Sequence, residues 1–133
     1  MNINNKTVDQ VTYNLLKKGL NASSLRSKAI ANNVANINTK GYKRQYVTFE
    51  DTLKQNMDNI ELKTTSSKHM NDTAEYGDIK LHTDNATSMR QDSNNVDIDK
   101  EMVDEAANTL MYNALITQVN SRLSMEKYVV NGR

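Results

Sequence analysis

Few side chains in this sequence could do chemistry, and none stands where a reaction would use it. His69 and His82 lie apart in a polar stretch with no spaced carboxylates around them, so they read as surface histidines. The segment DSNNVDIDKE at 92–101 superficially has the look of a calcium loop. It fails because Val96 occupies the place of an oxygen ligand and Asp97 the place of the loop glycine. The helix-start reading of these acids is preferred. Tyr42 with Lys40, Lys43 and Arg44 could touch nucleic acid, but a chain of net charge +1 with one basic end more often forms salt links. There is no Cys, which excludes a disulfide framework and a thiolate metal site. No nucleophile elbow, phosphate-cradling glycine loop or zinc-protease motif occurs. No catalytic group, metal or cofactor is expected.

The residue cluster that does stand out is AIANNVANINTKGYKR at 29–44. Asn32, Asn33, Asn36 and Asn38 crowd the last turns of a helical pattern although Asn is a weak helix former. One reading is that Asn is simply common in this chain. The other places amide side chains at a helix–helix seam, where they hydrogen-bond across it and set register. Gly41 then releases the chain, and Tyr42 is free to fold back on the seam.

The elements that would position this cluster follow from periodicity. From Thr7 onward Val8, Val11, Leu15, Gly19, Ala22 and Ala29 recur three or four apart, with Leu16, Leu20, Ile30, Val34 and Ile37 widening the stripe. Thr7 and Gln10 have the form of a capping box. A second helix is expected from about Asp97 to Val130, with Val103, Ala106, Ala107, Leu110, Met111, Ala114, Leu115, Val119, Leu123 and Val130 as its stripe. Asp97, Asp99 and Glu101 suit its positive N-terminal end. Between them Phe49, Leu53, Met57 and Ile60 are spaced as a short amphipathic helix. Residues 63–95 are polar and nearly aperiodic, and Ile79 to Thr83 alternates like one arm of a small hairpin near Gly77.

The expected fold is mainly α: two long terminal helices paired as an antiparallel, coiled-coil-like hairpin. A short helix and a polar insert, partly disordered or a small β-hairpin, separate them. The organisation is 1–44 (helix and Asn-rich turn), 45–95 (short helix and mobile insert) and 96–133 (C-terminal helix). Charge supports the antiparallel sense, since Arg26, Lys28, Lys40, Lys43 and Arg44 then fall near Asp97, Asp99, Glu101, Asp104 and Glu105. The apolar stripes are wider than two helices can bury in each other, so the helices are suited to packing against other chains. Mean hydropathy is −0.76, no apolar run approaches the roughly 20 residues of a membrane span, and the first residues lack the pattern of a signal peptide.

On these residues the resemblance becomes specific. Leu25, Arg26, Ala29 to Asn36 and Thr39-Lys40-Gly41-Tyr42-Lys43 resemble the N-terminal motif of the bacterial flagellar rod, hook and hook–filament junction proteins. Lys40 departs from that pattern, which usually has Pro there, so the turn is less stiff. Asn94 to Met102, Asn108, Tyr112 and Ala114-Leu115 are similar to the short proximal rod members of the family. The resemblance covers both terminal helices, about two-thirds of the chain, and says little of residues 50–90. It implies a structural, non-enzymatic subunit of the basal-body rod, self-associating and assembling with other rod and basal-body proteins. It further implies export through the flagellar type III apparatus without a cleaved signal, and a place in the periplasm. No nucleic acid partner and no membrane span are implied. The expected assembly interface comprises Leu15, Ala22, Leu25, Ala29, Asn32, Asn33, Asn36, Ile37, Gly41, Tyr42, Val103, Leu110, Met111, Tyr112, Leu115, Val119 and Leu123. A cytoplasmic helical adaptor, such as an export chaperone, is the alternative that the stripes alone would also allow.

Overall fold

A computed structural model describes residues 8–58, 77–87 and 91–132. Five elements follow one another: α1 (Val8–Ala35), β1 (Gln45–Thr48), α2 (Glu50–Asp58), β2 (Lys80–Thr83) and α3 (Ile98–Asn131). Thr7, and with it the expected capping box, lies outside the described residues, as do most of the insert and Ile60.

The asparagines end α1. Asn36 N–H is shared between the Asn32 and Asn33 carbonyls (3.1 and 3.2 Å) while its Nδ2 donates back to Asn32 O at 2.8 Å. Such local amide bonds compete with the helical ladder and favour turns. The chain then tightens through Thr39 N–H on Asn36 O (2.9 Å) and leaves by Gly41 at φ 74°. α3 is bounded as its sequence indicates. Asp97 caps it, accepting from Asp99 N–H at 3.0 Å and Lys100 N–H at 3.5 Å. Gly132, in the left-handed region, closes it by donating to Tyr128 O at 3.1 Å.

α1 and α3 run antiparallel. Gly19 lies against Leu115, Ser23 against Asn108, Ser27 against Glu105 and Asn33 against Glu101. The strand expected near Gly77 forms, but not as a local hairpin. β2 pairs antiparallel with β1, Val47 opposite Leu81 and Tyr46 opposite His82, where the two rings stack at 5.4 Å. The alternation at 79–83 marked the strand, while its partner lies across α2, beyond the reach of any turn signal. Phe49 and Val47 are buried beneath this sheet, and Gly77 comes so close to Phe49 that a Cβ there would sit 2.8 Å from its ring.

The interior is unusually polar. Ala22, Ala29, Ile30, Val47, Phe49 and Val96 are buried, but so are Ser23, Asn33, Asn94, Glu101 and Asn108. Buried polar groups stabilise a fold only when each has its partner, and the partners are what make the site.

Candidate functional site

Asn33 is the hub. It is 0% exposed, in the last turn of α1. Its Nδ2 donates to Gln45 O (2.7 Å) and to Glu101 Oε2 (3.0 Å). Its Oδ1 accepts from Gln45 N–H (2.9 Å) and from the Tyr42 hydroxyl (3.4 Å). A primary amide offers two donors and two acceptor lone pairs, so this one is fully used. Tyr42 does fold back on the seam. Burial, and next the Glu101 carboxylate, push its phenol above the ordinary value.

Glu101, also 0% exposed, is held on its other oxygen by Arg44 Nε. The Arg44 Nη2 reaches Asp104 Oδ2 at 2.7 Å, and its backbone N–H donates to Asn95 Oδ1 at 2.7 Å. One guanidinium thus ties the turn after α1 to two successive turns on one face of α3. Asn94 completes the clasp: its Nδ2 donates to the carbonyls of Asn36, Ile37 and Thr39 at 2.9–3.0 Å. Those carbonyls belong to the turn just past α1, where Asn36 O also accepts from Thr39 N–H and Thr39 O from Tyr42 N–H. Farther along the seam Ser23 Oγ donates to Asn108 Oδ1 (2.8 Å) and Asn108 Nδ2 donates to Ser23 O (3.0 Å). Ser27 Oγ donates to Glu105 Oε1 at 2.9 Å, while Glu105 Oε2 is buried with no hydrogen-bond partner among the described residues.

The expected charge pairing holds for Arg44 and is corrected for Arg26. Arg26 binds both oxygens of Glu50 at 2.8 and 2.6 Å, at the start of α2. Burial raises the Glu50 carboxyl, but the Arg26 hydrogen bond, backbone N–H groups and Arg26 charge outweigh it and hold the group below its ordinary value. Lys43 Nζ donates to Ala86 O at 3.1 Å.

The apolar stripe of α3 divides between the seam and the outside, with Leu115 against Gly19 and Val119 half-buried. Its polar side, with Glu101 and Asn108, faces α1, whereas Val103 is 68% and Leu110 72% exposed. Ala106, Ala107, Met111 and Ala114 are exposed beside them. Sequence periodicity finds the stripe but cannot say that the seam takes its Leu115–Val119 part and leaves Val103, Leu110 and Met111 outside. Of the residues expected at an interface, Ala22, Ala29 and Asn33 are buried within the chain. Leu15, Leu25, Asn36, Ile37, Tyr42, Leu115 and Val119 are half-buried, and Asn32, Gly41, Val103, Leu110, Met111, Tyr112 and Leu123 are exposed. Sequence reasoning missed Gln45, whose backbone Asn33 clamps, and the capping role of Asn94. The abundance of Asn was the signal, and it could not be resolved into partners.

Chemically the arrangement binds and positions the chain's own elements. Asp92 accepts from Asn94 N–H (3.1 Å) and Asp97 caps α3, so the oxygens of the calcium-like segment serve the backbone. Among the described residues no three His, Cys, Asp or Glu side chains gather as a metal ion would require, and no helix is long and apolar enough to cross a membrane.

Residues 15–43, α1 and the turn that closes the clasp, match the model of the family described as flagella basal body rod protein. Over 121 residues the chain is 33% identical to the flagellar basal body rod protein FlgB of Bacillus subtilis, covering 91% of this chain and 94% of that protein. It is 34% identical over 111 residues to FlgB of Borreliella burgdorferi, covering 77% and 82%. Against FlgB of Aquifex aeolicus it is 30% identical over 120 residues, covering 90% and 93%. With a clasp built on the matched segment and likeness running nearly end to end, the chain belongs to the FlgB family of flagellar basal body rod proteins.

Proposed function

We propose that the chain acts by polymerising through its terminal helices, as a structural subunit of the proximal rod of the flagellar basal body. Membership of the family makes it a rod component that assembles with other basal-body rod proteins. The helical contacts, the lack of enzymatic activity and the route to the rod are the proposal.

The observation that carries it is the middle of α3. From Ala106 to Ser121 the helix has no charged residue over 16 positions, about 24 Å at ~1.5 Å per residue. A helix with apolar residues on more than one side is ordinarily covered on more than one side. Here α1 covers one side, and Leu110, Met111, Tyr112 and Ala114 remain exposed. Neighbouring subunits in a rod supply the missing cover. On this reading 1–44 and 96–133 are the assembling parts and 45–95 braces them through β1 and β2. The clasp sets the angle at which the two helices are presented.

The basic end of α1 supports a protein partner over nucleic acid, because Arg44 is engaged by Glu101 and Asp104, Lys43 by a carbonyl, and Tyr42 by Asn33. Export by the flagellar type III apparatus without cleavage, into the periplasm, completes the proposal. The test is to express a C-terminally tagged chain in a strain lacking the native copy and isolate basal bodies. The tag should co-purify with the rod, dependent on the flagellar export apparatus, with the N-terminal peptide intact. A tag that stays in the cytoplasm while the strain swims would overturn the reading.

A further inference from the structure

A groove of about 450 Å³ runs along the side of the hairpin, between α1, β1 and α3. Ala29, Ile30, Val47 and Met111 give it an apolar lining. Four of its five charged side chains are matched: Arg26 holds Glu50 at 2.6 Å on one wall, and Arg44 holds Asp104 at 2.7 Å on another, while the fifth, Lys100, is exposed. An apolar body seated on the Ile30–Val47–Met111 floor therefore covers matched charges, and the long, exposed Lys100 side chain can keep its ammonium in water.

The same molecule carries a body of that kind. Val103, Ala106, Leu110 and Ala114 recur at three- and four-residue steps along one side of α3, uncharged and exposed. Leu110 cannot reach the groove of its own chain. It lies on the helix between two residues that line it, Ala107 and Met111, and points about 100° away from Met111 around the axis. Only another chain brings ridge and groove together.

We propose that the ridge of one copy, centred on Leu110, seats in the Ile30–Val47–Met111 groove of a second copy. This deepens the rod reading above and rests on it. Ridge and groove lie at the same height along α3, so the two copies stand side by side with little axial shift. Two different patches meet, which makes the contact heterologous. Repeated by one rotation, such a contact generates a ring or a helix and never a closed pair. The clasp matters here because Arg44 belongs both to it and to the groove wall: the bonds that set the α1–α3 angle also shape the receiving surface.

The chain has no Cys, so paired cysteines report one contact without background. Two differently tagged copies, Leu110→Cys and Tyr46→Cys, are co-expressed in cells lacking the native protein. Tyr46 lines the groove on β1. Basal bodies are isolated and treated with oxidant or a short bismaleimide. The expected result is a product carrying both tags, at least tenfold above that from unassembled chain. Basal bodies that contain both chains but yield no mixed product overturn the contact. So does a predominant Leu110→Cys homodimer, which would mean that ridges meet each other. As a second measurement, Ala107→Trp fills the groove and should lower incorporation at least tenfold with unchanged monomer helicity. Normal incorporation of that variant overturns the contact too. If the unsubstituted tagged chain is itself missing from basal bodies, the rod reading has failed, which is a separate outcome.

Discussion

The Asn33 side chain binds the Gln45 backbone as a neighbouring strand would, donating to its carbonyl at 2.7 Å and accepting from its N–H at 2.9 Å. Gln45 opens β1, and its partner there is Thr83. One helical amide therefore continues the sheet by one side chain and, through Glu101, ties that sheet to α3. The asparagine crowding at the end of α1 has a geometric purpose at this residue.

Replacing Asn33 by Ala should lower stability despite better helix propensity. The gain is about 0.5 kcal/mol. The loss leaves buried groups of Gln45 and Glu101 without partners, at about 1–3 kcal/mol each, so a net loss of about 2–4 kcal/mol is expected in a urea titration. Asn36→Ala should cost much less, under about 1 kcal/mol, since Asn36 bonds only its own turn through Asn32 and Thr39.

Arg44→Met should be more damaging, because it strands a fully buried carboxylate. Removing one partner of such a pair costs about 3–5 kcal/mol. Adding Glu101→Gln removes the stranded charge, so the double variant should recover part of that loss. A double-mutant cycle on thermal melts measures it. Additive effects of the two substitutions would show that Arg44 and Glu101 are not coupled.

How much of this was legible differs by element. The start of α3 at Asp97 was written in local chemistry, a capping acid, and periodicity found α1, α2 and α3; the end of α1 was placed too late, because Gly41 marks the turn while the asparagines stop the helix at Ala35. The strand at 80–83 was visible as alternation, but its pairing with 45–48 depends on contacts far apart in sequence. The α3 stripe was read as apolar and wider than two helices can bury, but which part of it meets α1 was not legible. Patterning assumes that the apolar side faces the nearest element, and here Asn108 and Glu101 take that side because Ser23 and Asn33 can satisfy them.

Acid should weaken the α1–α2 junction. The Glu50 carboxyl is held below its ordinary value by Arg26, so its contribution is present above the unfolded value and lost as pH falls through the folded one. The pair is partly exposed, with Glu50 46% accessible, and is worth at most ~1 kcal/mol. Arg26→Ala should flatten stability against pH below the ordinary carboxylate range. Tyr42 acts in the opposite sense. Its raised value supplies stability below pH 10 that is lost as pH rises through the folded value, and Tyr42→Phe should remove that alkaline loss.

Gly77→Ala should loosen the sheet. Gly77 has φ 62°, and a Cβ would meet the Phe49 ring at 2.8 Å and Leu53 at 3.4 Å. The conformation alone costs about 1–2 kcal/mol with a side chain, and the clash adds to it. Amide exchange at Val47 and Leu81 should accelerate, with little change in α3.

The central claim is that α3 assembles through its uncharged, exposed surface, and Leu110→Asp tests it most directly. Leu110 is 72% exposed, so the monomer should melt within about 0.5 kcal/mol of the parent. A carboxylate buried without a partner at a subunit contact is prohibitive. With the variant as sole copy, measured by its recovery in isolated basal bodies and by swimming, the account predicts a soluble, exported chain that does not enter the rod. Recovery at the parent level in cells that swim normally would contradict it.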